Sequence, residues 1–104
     1  MKRVMFDLET LGTSERAIIS QVAAVEFDLS SGQILKSLTF NVDLLSYYAY
    51  VSNAEINIDT VLFWLNQNKK SQNAVFDQTD KTNLGIVLHE LNKFLSNADE
   101  IWCH

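Results

Sequence analysis

The sequence predicts an α/β fold built on a mixed sheet, with three antiparallel strands, then helices, then a parallel fourth strand. First, the N-terminal 42 residues contain apolar runs and alternating stretches that are typical of strands. Second, the apolar spacing after residue 57 changes to three and four residues, as in amphipathic helices. Third, a short apolar segment closes the chain, and a helical crossover would return it parallel to an earlier strand.

Three strands are predicted in the first part of the chain. Residues 3 to 8 carry apolar side chains on both faces, which is typical of a central strand, and residues 17 to 28 have the same character. Residues 33 to 42 alternate between apolar and polar side chains, which predicts a half-buried strand near a sheet edge. Leu29 to Gly32 are predicted to connect the last two strands, with Gly32 adopting a positive φ.

The first predicted helix begins near residue 58. Its apolar stripe follows the spacing i, i+3, i+4, i+7, and Asn57 or Asp59 is suited to cap its N-terminus. The stripe consists of Ile58, Val61, Leu62 and Leu65. The preceding segment, 43 to 57, contains three tyrosines and fits either a helix or a packed loop. We expect the cluster of Tyr47, Tyr48 and Tyr50 to lie in the core.

Two more helices are predicted in the second half of the chain. A short one runs from Ser71 to about Gln78, and a longer one follows, capped by Asp80 or Thr82. The apolar stripe of the longer helix consists of Leu84, Val87, Leu88, Leu91, Phe94 and Leu95. Gly85 inside this helix costs about 1 kcal/mol relative to alanine, so we expect another segment to approach closely there.

The predicted fourth strand, residues 100 to 104, is apolar and carries no polar tail. Within it, Cys103 is expected to be a small buried residue. A strand of this kind at the end of a chain leaves one face of its sheet partly uncovered. We therefore expect residues 1 to 104 to form the front part of a single, longer domain.

Composition and charge restrict the function. A chain of 104 residues with 47% hydrophobic positions can bury a core without disulfides, and its single cysteine excludes an internal one. The net charge of −5 argues against broad, charge-driven binding of nucleic acid, but not against a nucleic-acid enzyme whose acidic site holds divalent cations. No apolar run approaches the roughly 20 residues that cross a bilayer. We expect a cytoplasmic protein without a membrane segment.

Two carboxylates stand out on the first strand. Asp7 and Glu9 are two residues apart, so their side chains point to the same face with Cα atoms about 6.5 to 7 Å apart. Such a pair can bind one hard cation, and Mg²⁺ is usually held by one or two carboxylates plus water and phosphate oxygens. A second pair, Glu26 and Asp28, has the same spacing but lies beside a turn, where solvation explains it. An accidental pair in a small α+β domain is the alternative for Asp7 and Glu9.

The residues around this pair carry a family resemblance. Residues 6 to 13, FDLETLGT, resemble the first motif of the DEDD superfamily of 3′–5′ exonucleases, which have a ribonuclease H-like fold. Ile18 to Phe27, with Gln21 near its start, is similar to the second strand of that family. Residues 59 to 67, DTVLFWLNQ, are similar to the T-x-x-W-W-x-x-Q helix of its ribonuclease T-like and phage exonuclease A branch. Residues 101 to 104 are similar to the strand that leads into the second motif.

The resemblance implies a metal-dependent 3′–5′ exonuclease with a ribonuclease H-like mixed sheet, acting on single-stranded DNA or RNA 3′ ends with two Mg²⁺ or Mn²⁺ ions. Asp7 would bridge both ions, and Glu9 would hold one ion and orient the attacking water. Thr10 would contact the terminal sugar and Leu11 the last base; without the motif, a strand-end turn and a core contact would explain them. Two further Asp ligands and a general base, usually His, are expected downstream. His104 precedes the second-motif Asp and is not that base.

Two aromatic residues have alternative predicted roles, and the domain has an alternative predicted function. Phe63 and Trp64 suit stacking on an unpaired base, or packing against segment 43 to 57 or a partner subunit. Because two of the four carboxylates are present, we expect little catalysis from the 104-residue chain alone. The alternative is a catalytically incomplete ribonuclease H-like remnant that serves as a binding or assembly module, and this alternative predicts a homo-oligomer.

Overall fold

The computed structural model describes residues 1 to 103, whose strands form one four-stranded mixed sheet. The strands are β1 (Arg3–Thr10), β2 (Ile19–Phe27), β3 (Ile34–Asn41) and β4 (Glu100–Cys103). Their order is β3-β2-β1-β4. β2 pairs antiparallel with both β1 and β3, and β4 pairs parallel with β1. This arrangement confirms the predicted sheet. His104, predicted as the end of the fourth strand, lies outside the described residues.

The positions of the strands explain their apolar patterns. β1 pairs with β2 on one side and β4 on the other, as its apolar residues on both faces predict. β3 pairs with β2 and lies at the sheet edge, as its alternation predicts. In the connection between β2 and β3, Gly32 has a φ of 71° and donates its N–H to the carbonyl oxygen of Asp28 at 2.8 Å. This left-handed conformation is open to glycine at little cost.

The helical segments follow the predicted order with shifted boundaries. They are a 3₁₀ helix (Leu44–Ala49), α1 (Ile58–Leu65), α2 (Lys69–Phe76) and α3 (Leu84–Leu95). α2 begins two residues before Ser71 because Asn68 caps it, accepting the Ser71 N–H at 2.9 Å. α3 is capped by Asn83 rather than by Asp80 or Thr82, because the Asn83 carboxamide oxygen accepts the Gly85 N–H at 2.9 Å.

The core lies between one face of the sheet and the helical segments. Its buried members are Leu11, Ile18, Val22, Val42, Tyr47, Val75, Leu84 and Val87. α3 contributes Leu84 and Val87 from its predicted stripe, whereas Leu88 of that stripe is exposed. Among residues 1 to 103, no helix combines the length and apolar character needed to span a bilayer.

The tyrosine cluster divides between core and surface. Tyr47 is buried, and its hydroxyl oxygen accepts the Ile19 N–H at 2.8 Å, while burial raises the pKa of Tyr47. Tyr48 and Tyr50 are exposed, so the expectation that all three lie in the core is wrong for these two. Tyr50 instead covers Gly85, where a Cβ would overlap its hydroxyl. The close approach predicted for Gly85 is thereby confirmed.

Two predicted burials are wrong. Ile58, Leu62 and Leu65 of the α1 stripe are each at least half exposed, because α1 packs through the face that carries Trp64 instead. Cys103 is exposed because it lies on β4, which among the described residues pairs only with β1.

Candidate active site

The central strand β1 places Asp7 and Glu9 on the sheet face opposite the core. In the pairing with β2, Asp7 is opposite Ala23 and Glu9 is opposite Gln21. The intervening residue Leu8 packs against the core cluster. Since side chains alternate along a strand, both carboxylates project from the other face, and each is half-buried. β1 thus holds the two acids side by side, as the spacing predicts.

The surroundings of the two acids differ. Asp7 lies in a shallow pocket of about 200 Å³, whose other side-chain walls include Met5, Ala23 and Val25. Ala23 directly opposite Asp7 is small and leaves room above the strand. Glu9 lies instead at one end of a larger cleft of about 400 Å³. The two carboxylates therefore stand where an open apolar surface meets a polar cleft.

Residues of two strands and two helices line the larger cleft beside Glu9. From β2 and β3 come Gln21 and Asn41, from α1 comes Trp64, and from α2 and its cap come Asn68, Lys70, Ser71, Ala74 and Val75. The cleft has one acidic and one basic side chain among these described residues, and most of its other polar groups are carboxamides. Its volume falls in the range of small-molecule sites, about 300 to 1,000 Å³.

Thr10 and Leu11 lie where β1 ends. The pairing of β1 with β2 is irregular between Glu9 and Thr10, and the Thr10 hydroxyl donates to the carbonyl oxygen of Gly12 at 2.7 Å. The Leu11 side chain is 2% exposed and belongs to the core. It therefore presents almost no surface to a base, in line with the core-contact alternative.

The loop that follows Leu11 is fastened on both sides. The Leu11 N–H donates to the Ile18 carbonyl oxygen at 2.8 Å, and the Asn57 N–H donates to the Leu11 carbonyl oxygen at 2.8 Å. Asn57 precedes α1, as predicted, but its carboxamide oxygen accepts the Thr13 N–H at 3.1 Å instead of capping the helix. The motif residues are consequently held in place by contacts outside their own strand.

An exposed ion pair closes the same loop. The Arg16 Nε donates to the Glu55 carboxylate at 2.8 Å. The Arg16 Nη2 donates to the same carboxylate. The Ser14 hydroxyl donates to Glu55 at 2.9 Å. The hydrogen bonds from Arg16 and Ser14 lower the pKa of Glu55.

Trp64 and Phe63 occupy different positions. Trp64 is half-buried, lines the cleft and donates its indole N–H to the Thr10 carbonyl oxygen at 3.3 Å. Phe63 is 56% exposed, and its ring meets that of Trp64 edge-on with centroids 5.3 Å apart. The structure thus brings Trp64 to the acidic motif, whereas Phe63 lies on the outer side of α1.

The two carboxylates suit a divalent cation in part. Within residues 1 to 103, no group of three or more His, Cys, Asp or Glu side chains forms a potential metal cluster. Mg²⁺ is commonly held by one or two carboxylates while water and substrate phosphate oxygens complete its shell. Asp7 and Glu9 therefore fit the protein's share of such a site, and the predicted second pair of ligands does not come from the described residues.

Comparison with known families identifies the chain. Residues 2 to 104 match the model of the Rv2179c-like family, a 3′–5′ exoribonuclease domain. The chain belongs to the Rv2179c-like family. This membership confirms the predicted resemblance to 3′–5′ exonucleases of the DEDD type. It also supports a 3′–5′ exonuclease as the general class of function.

One solved structure resembles this Rv2179c-like chain, that of the cell-death related nuclease 4 (CRN-4). The two share 17% sequence identity over 96% of the present chain, with a TM-score of 0.48. The chain spans about a third of CRN-4, covering 34% of its length. No curated protein matches the sequence.

Several cleft residues escape a reading of the sequence alone. In the sequence, Gln21 is recognisable only as part of the second predicted strand. Lys70 is one of two adjacent lysines, a pattern that is typical of solvated surface. Asn41, Asn68 and Ser71 carry no motif. The available signal is the pair of polar residues Ser20 and Gln21 at the start of the apolar run of β2, of which Gln21 lines the cleft.

Proposed function

We propose that this domain is a metal-dependent 3′–5′ exoribonuclease that removes nucleotides from single-stranded RNA ends. The observation that carries the proposal is the placement of Asp7 and Glu9 on one face of the central strand, in a chain of the Rv2179c-like family. RNA is favoured over DNA because the family is described as an exoribonuclease domain, a choice that the sequence leaves open.

The acids have separate roles in this proposal. Asp7 would be a ligand of both Mg²⁺ or Mn²⁺ ions, and Glu9 would hold one of them and orient the attacking water. When bound, such a pair of ions activates the water and stabilises the leaving oxygen. The half-buried position of both carboxylates favours binding, since ions are screened less strongly there than on an open surface.

The residues beside the acids bind the substrate. Thr10, at the irregular end of β1, meets the terminal sugar through its hydroxyl or backbone. Leu11 contributes its backbone position, because its side chain fills the core. Phe63 offers an exposed ring for an unpaired base, and stacking of this kind is worth about 1 to 3 kcal/mol per base. Trp64 holds Thr10 and lines the cleft.

The described residues form the front part of the nuclease domain in this proposal. They supply two carboxylates, so the remaining Asp ligands and the general base come from elsewhere in the complete enzyme. We therefore expect the 104-residue chain alone to bind metal weakly and to turn over negligibly. A cytoplasmic location stays a prediction.

A nuclease assay tests the proposal. The full-length gene product is incubated with 5′-labelled single-stranded RNA and Mg²⁺ or Mn²⁺, as wild type, Asp7→Asn and Asp28→Asn. Metal catalysis supplies several kcal/mol, so Asp7→Asn is expected to lower the rate by about 100-fold or more. Asp28→Asn is the matched control, since Asp28 belongs to the acidic pair that lies beside a turn. Equal rates for Asp7→Asn and wild type would contradict the proposal.

A binding or assembly module is the second candidate function. The observation in its favour is the apolar surface of α1, where Ile58, Leu62, Phe63 and Leu65 are each at least half exposed. This candidate predicts a homo-oligomer in light scattering that Phe63→Ser dissociates, together with no metal-dependent cleavage by the full-length product. A stable monomer at all concentrations would remove it.

A further inference from the structure

Three polar side chains form a row across the sheet beside the acidic motif. Glu9 is paired with Gln21 between β1 and β2, and Gln21 is paired with Asn41 between β2 and β3. All three line the same cleft of about 400 Å³. The row therefore runs from a proposed metal ligand to the edge of the sheet along one wall of that cleft.

The two carboxamides of the row are fixed by each other. Gln21 donates from Nε2 to the Asn41 carboxamide oxygen at 3.0 Å, and both residues are partly buried. A carboxamide has two donor hydrogens and two acceptor lone pairs. Their mutual bond uses one donor and one acceptor site, so the oriented pair keeps both kinds of group for a ligand.

The opposite wall comes from α1 and α2. Lys70 contributes the one cationic side chain among the described lining residues, and Ser71 contributes a hydroxyl. Trp64 closes the end nearest the motif, since its indole is bonded to the Thr10 carbonyl oxygen. The cleft thus has a cation on one wall, oriented amides on the other and an aromatic ring at the end beside Glu9.

This combination matches the chemistry of one nucleotide. A lysine ammonium neutralises a phosphate as a point charge. Asn and Gln carboxamides pair with base edges, and a ribose 2′-hydroxyl both donates and accepts. The volume of the cleft is of the size found for small-ligand sites.

We propose that the cleft beside Glu9 is a subsite for one ribonucleotide of the RNA strand, with its phosphate at Lys70 and its base or ribose at the Gln21–Asn41 pair. The proposal rests on the proposed nuclease function, which makes RNA the ligand that reaches Glu9. The Gln21–Asn41 pair then selects the bound nucleotide, in addition to linking β2 and β3.

Titration of the full-length gene product with adenosine 5′-monophosphate, without metal, tests the subsite. ¹⁵N NMR follows the side-chain amides of Gln21 and Asn41 and the indole N–H of Trp64. We expect these signals to shift together. Asn41→Ala and Lys70→Ala should each raise Kd by about fivefold or more, the loss expected for one hydrogen bond to a ligand.

The chain provides close controls for both variants. Thr39→Ala changes an exposed residue two positions from Asn41 on the same strand and the same sheet face. Lys69→Ala removes the neighbouring ammonium, which does not line the cleft. Both controls should bind within about twofold of wild type, a difference smaller than one hydrogen bond supplies. Controls that weaken binding as strongly as the cleft variants would overturn the proposal.

Two other outcomes would overturn the subsite. Shifts that map away from the cleft would do so, as would inorganic phosphate producing the full set of shifts at the same concentration, which would indicate an anion site only. The result is separable from the nuclease proposal. If Asp7→Asn abolishes cleavage while the cleft variants bind like wild type, the subsite fails and the nuclease stands; if the cleft binds as expected but Asp7→Asn cleaves normally, the nuclease fails.

Discussion

The indole N–H of Trp64 donates to the carbonyl oxygen of Thr10 across 3.3 Å. This bond joins α1 to the end of β1, one residue after Glu9. It also explains why α1 packs through Trp64 and leaves much of its aliphatic stripe exposed. The helix that resembles the T-x-x-W-W-x-x-Q segment therefore acts as a support for the acidic motif.

Loss of the Trp64 bond should destabilise the fold modestly. Trp64→Phe keeps an aromatic ring and removes the donor, so the free energy of unfolding should fall by about 1 kcal/mol from the hydrogen bond, with a smaller packing loss added. Urea denaturation measures this. Trp102→Phe is the control, because its indole N–H donates to Glu100 at an exposed position and should cost less than half as much. Equal losses would mean that the Thr10 bond contributes nothing specific.

Leu11 should behave as a core residue. At 2% exposure, Leu11→Ala is expected to lower the free energy of unfolding by about 2 to 5 kcal/mol, the range for truncating a buried leucine. Leu62→Ala, on the half-exposed side of α1, should cost much less. Chemical denaturation of both variants decides the matter. A Leu11→Ala protein as stable as wild type would show that the Leu11 side chain is not part of the core and is available to contact the substrate.

Gly85 and Tyr50 should be energetically coupled. An alanine at position 85 gains about 1 kcal/mol of helix propensity, but its Cβ would overlap the Tyr50 hydroxyl, which donates to Asn83 at 3.0 Å. Gly85→Ala should therefore stabilise the protein by about 1 kcal/mol more in a Tyr50→Ala background than in the wild type. A double-mutant cycle from thermal unfolding measures this difference. Additive effects would show that the two residues do not meet.

The Glu55 carboxyl should make stability depend on pH. Its pKa is lowered by hydrogen bonds from Arg16 and Ser14, so between the folded and unfolded pKa values the unfolded chain binds more protons. The contribution is fully present above the unfolded value of about 4.5 and is lost as the pH falls through the lower folded value. Thermal unfolding from pH 6 to pH 3 should show a shallower decline for Glu55→Gln than for wild type.

Two controls accompany this pH measurement. Glu15→Gln removes another exposed acid of the same loop and should leave the pH dependence of the wild type in place. High salt should reduce the Glu55 effect, since the ion pair with Arg16 is exposed and therefore screened. An unchanged decline in Glu55→Gln would show that the loop contacts do not contribute to stability.

The sheet could be predicted because its determinants are local. Apolar residues on both faces of residues 3 to 8 require a central strand, and Gly32 marks the turn before β3. The acidic pair was predictable for the same reason, since spacing of two on a strand fixes a common face. Helix ends were harder: Asn83 replaces Asp80 or Thr82 as a cap because several polar residues in succession are suitable.

The cleft could not be predicted because it depends on contacts distant in sequence. Gln21 and Asn41 meet only once the register of β2 and β3 is known, 20 residues apart. Lys70 lines the same cleft because of the position of α2. The exposure of the α1 stripe likewise follows from a bond between residues 54 positions apart, Thr10 and Trp64, and the amphipathic pattern by itself predicts burial.

Binding of Mn²⁺ to ¹⁵N-labelled protein tests the shared metal site of Asp7 and Glu9 most directly. The paramagnetic ion broadens nearby amide signals, so we expect selective loss of signals from residues 7 to 9 and 21 to 23, which face each other across β1 and β2. Asp7→Asn and Glu9→Gln should each abolish this pattern, and Asp28→Asn should retain it. Broadening centred on Glu26 and Asp28, or unchanged in the Asp7 and Glu9 variants, would contradict the account.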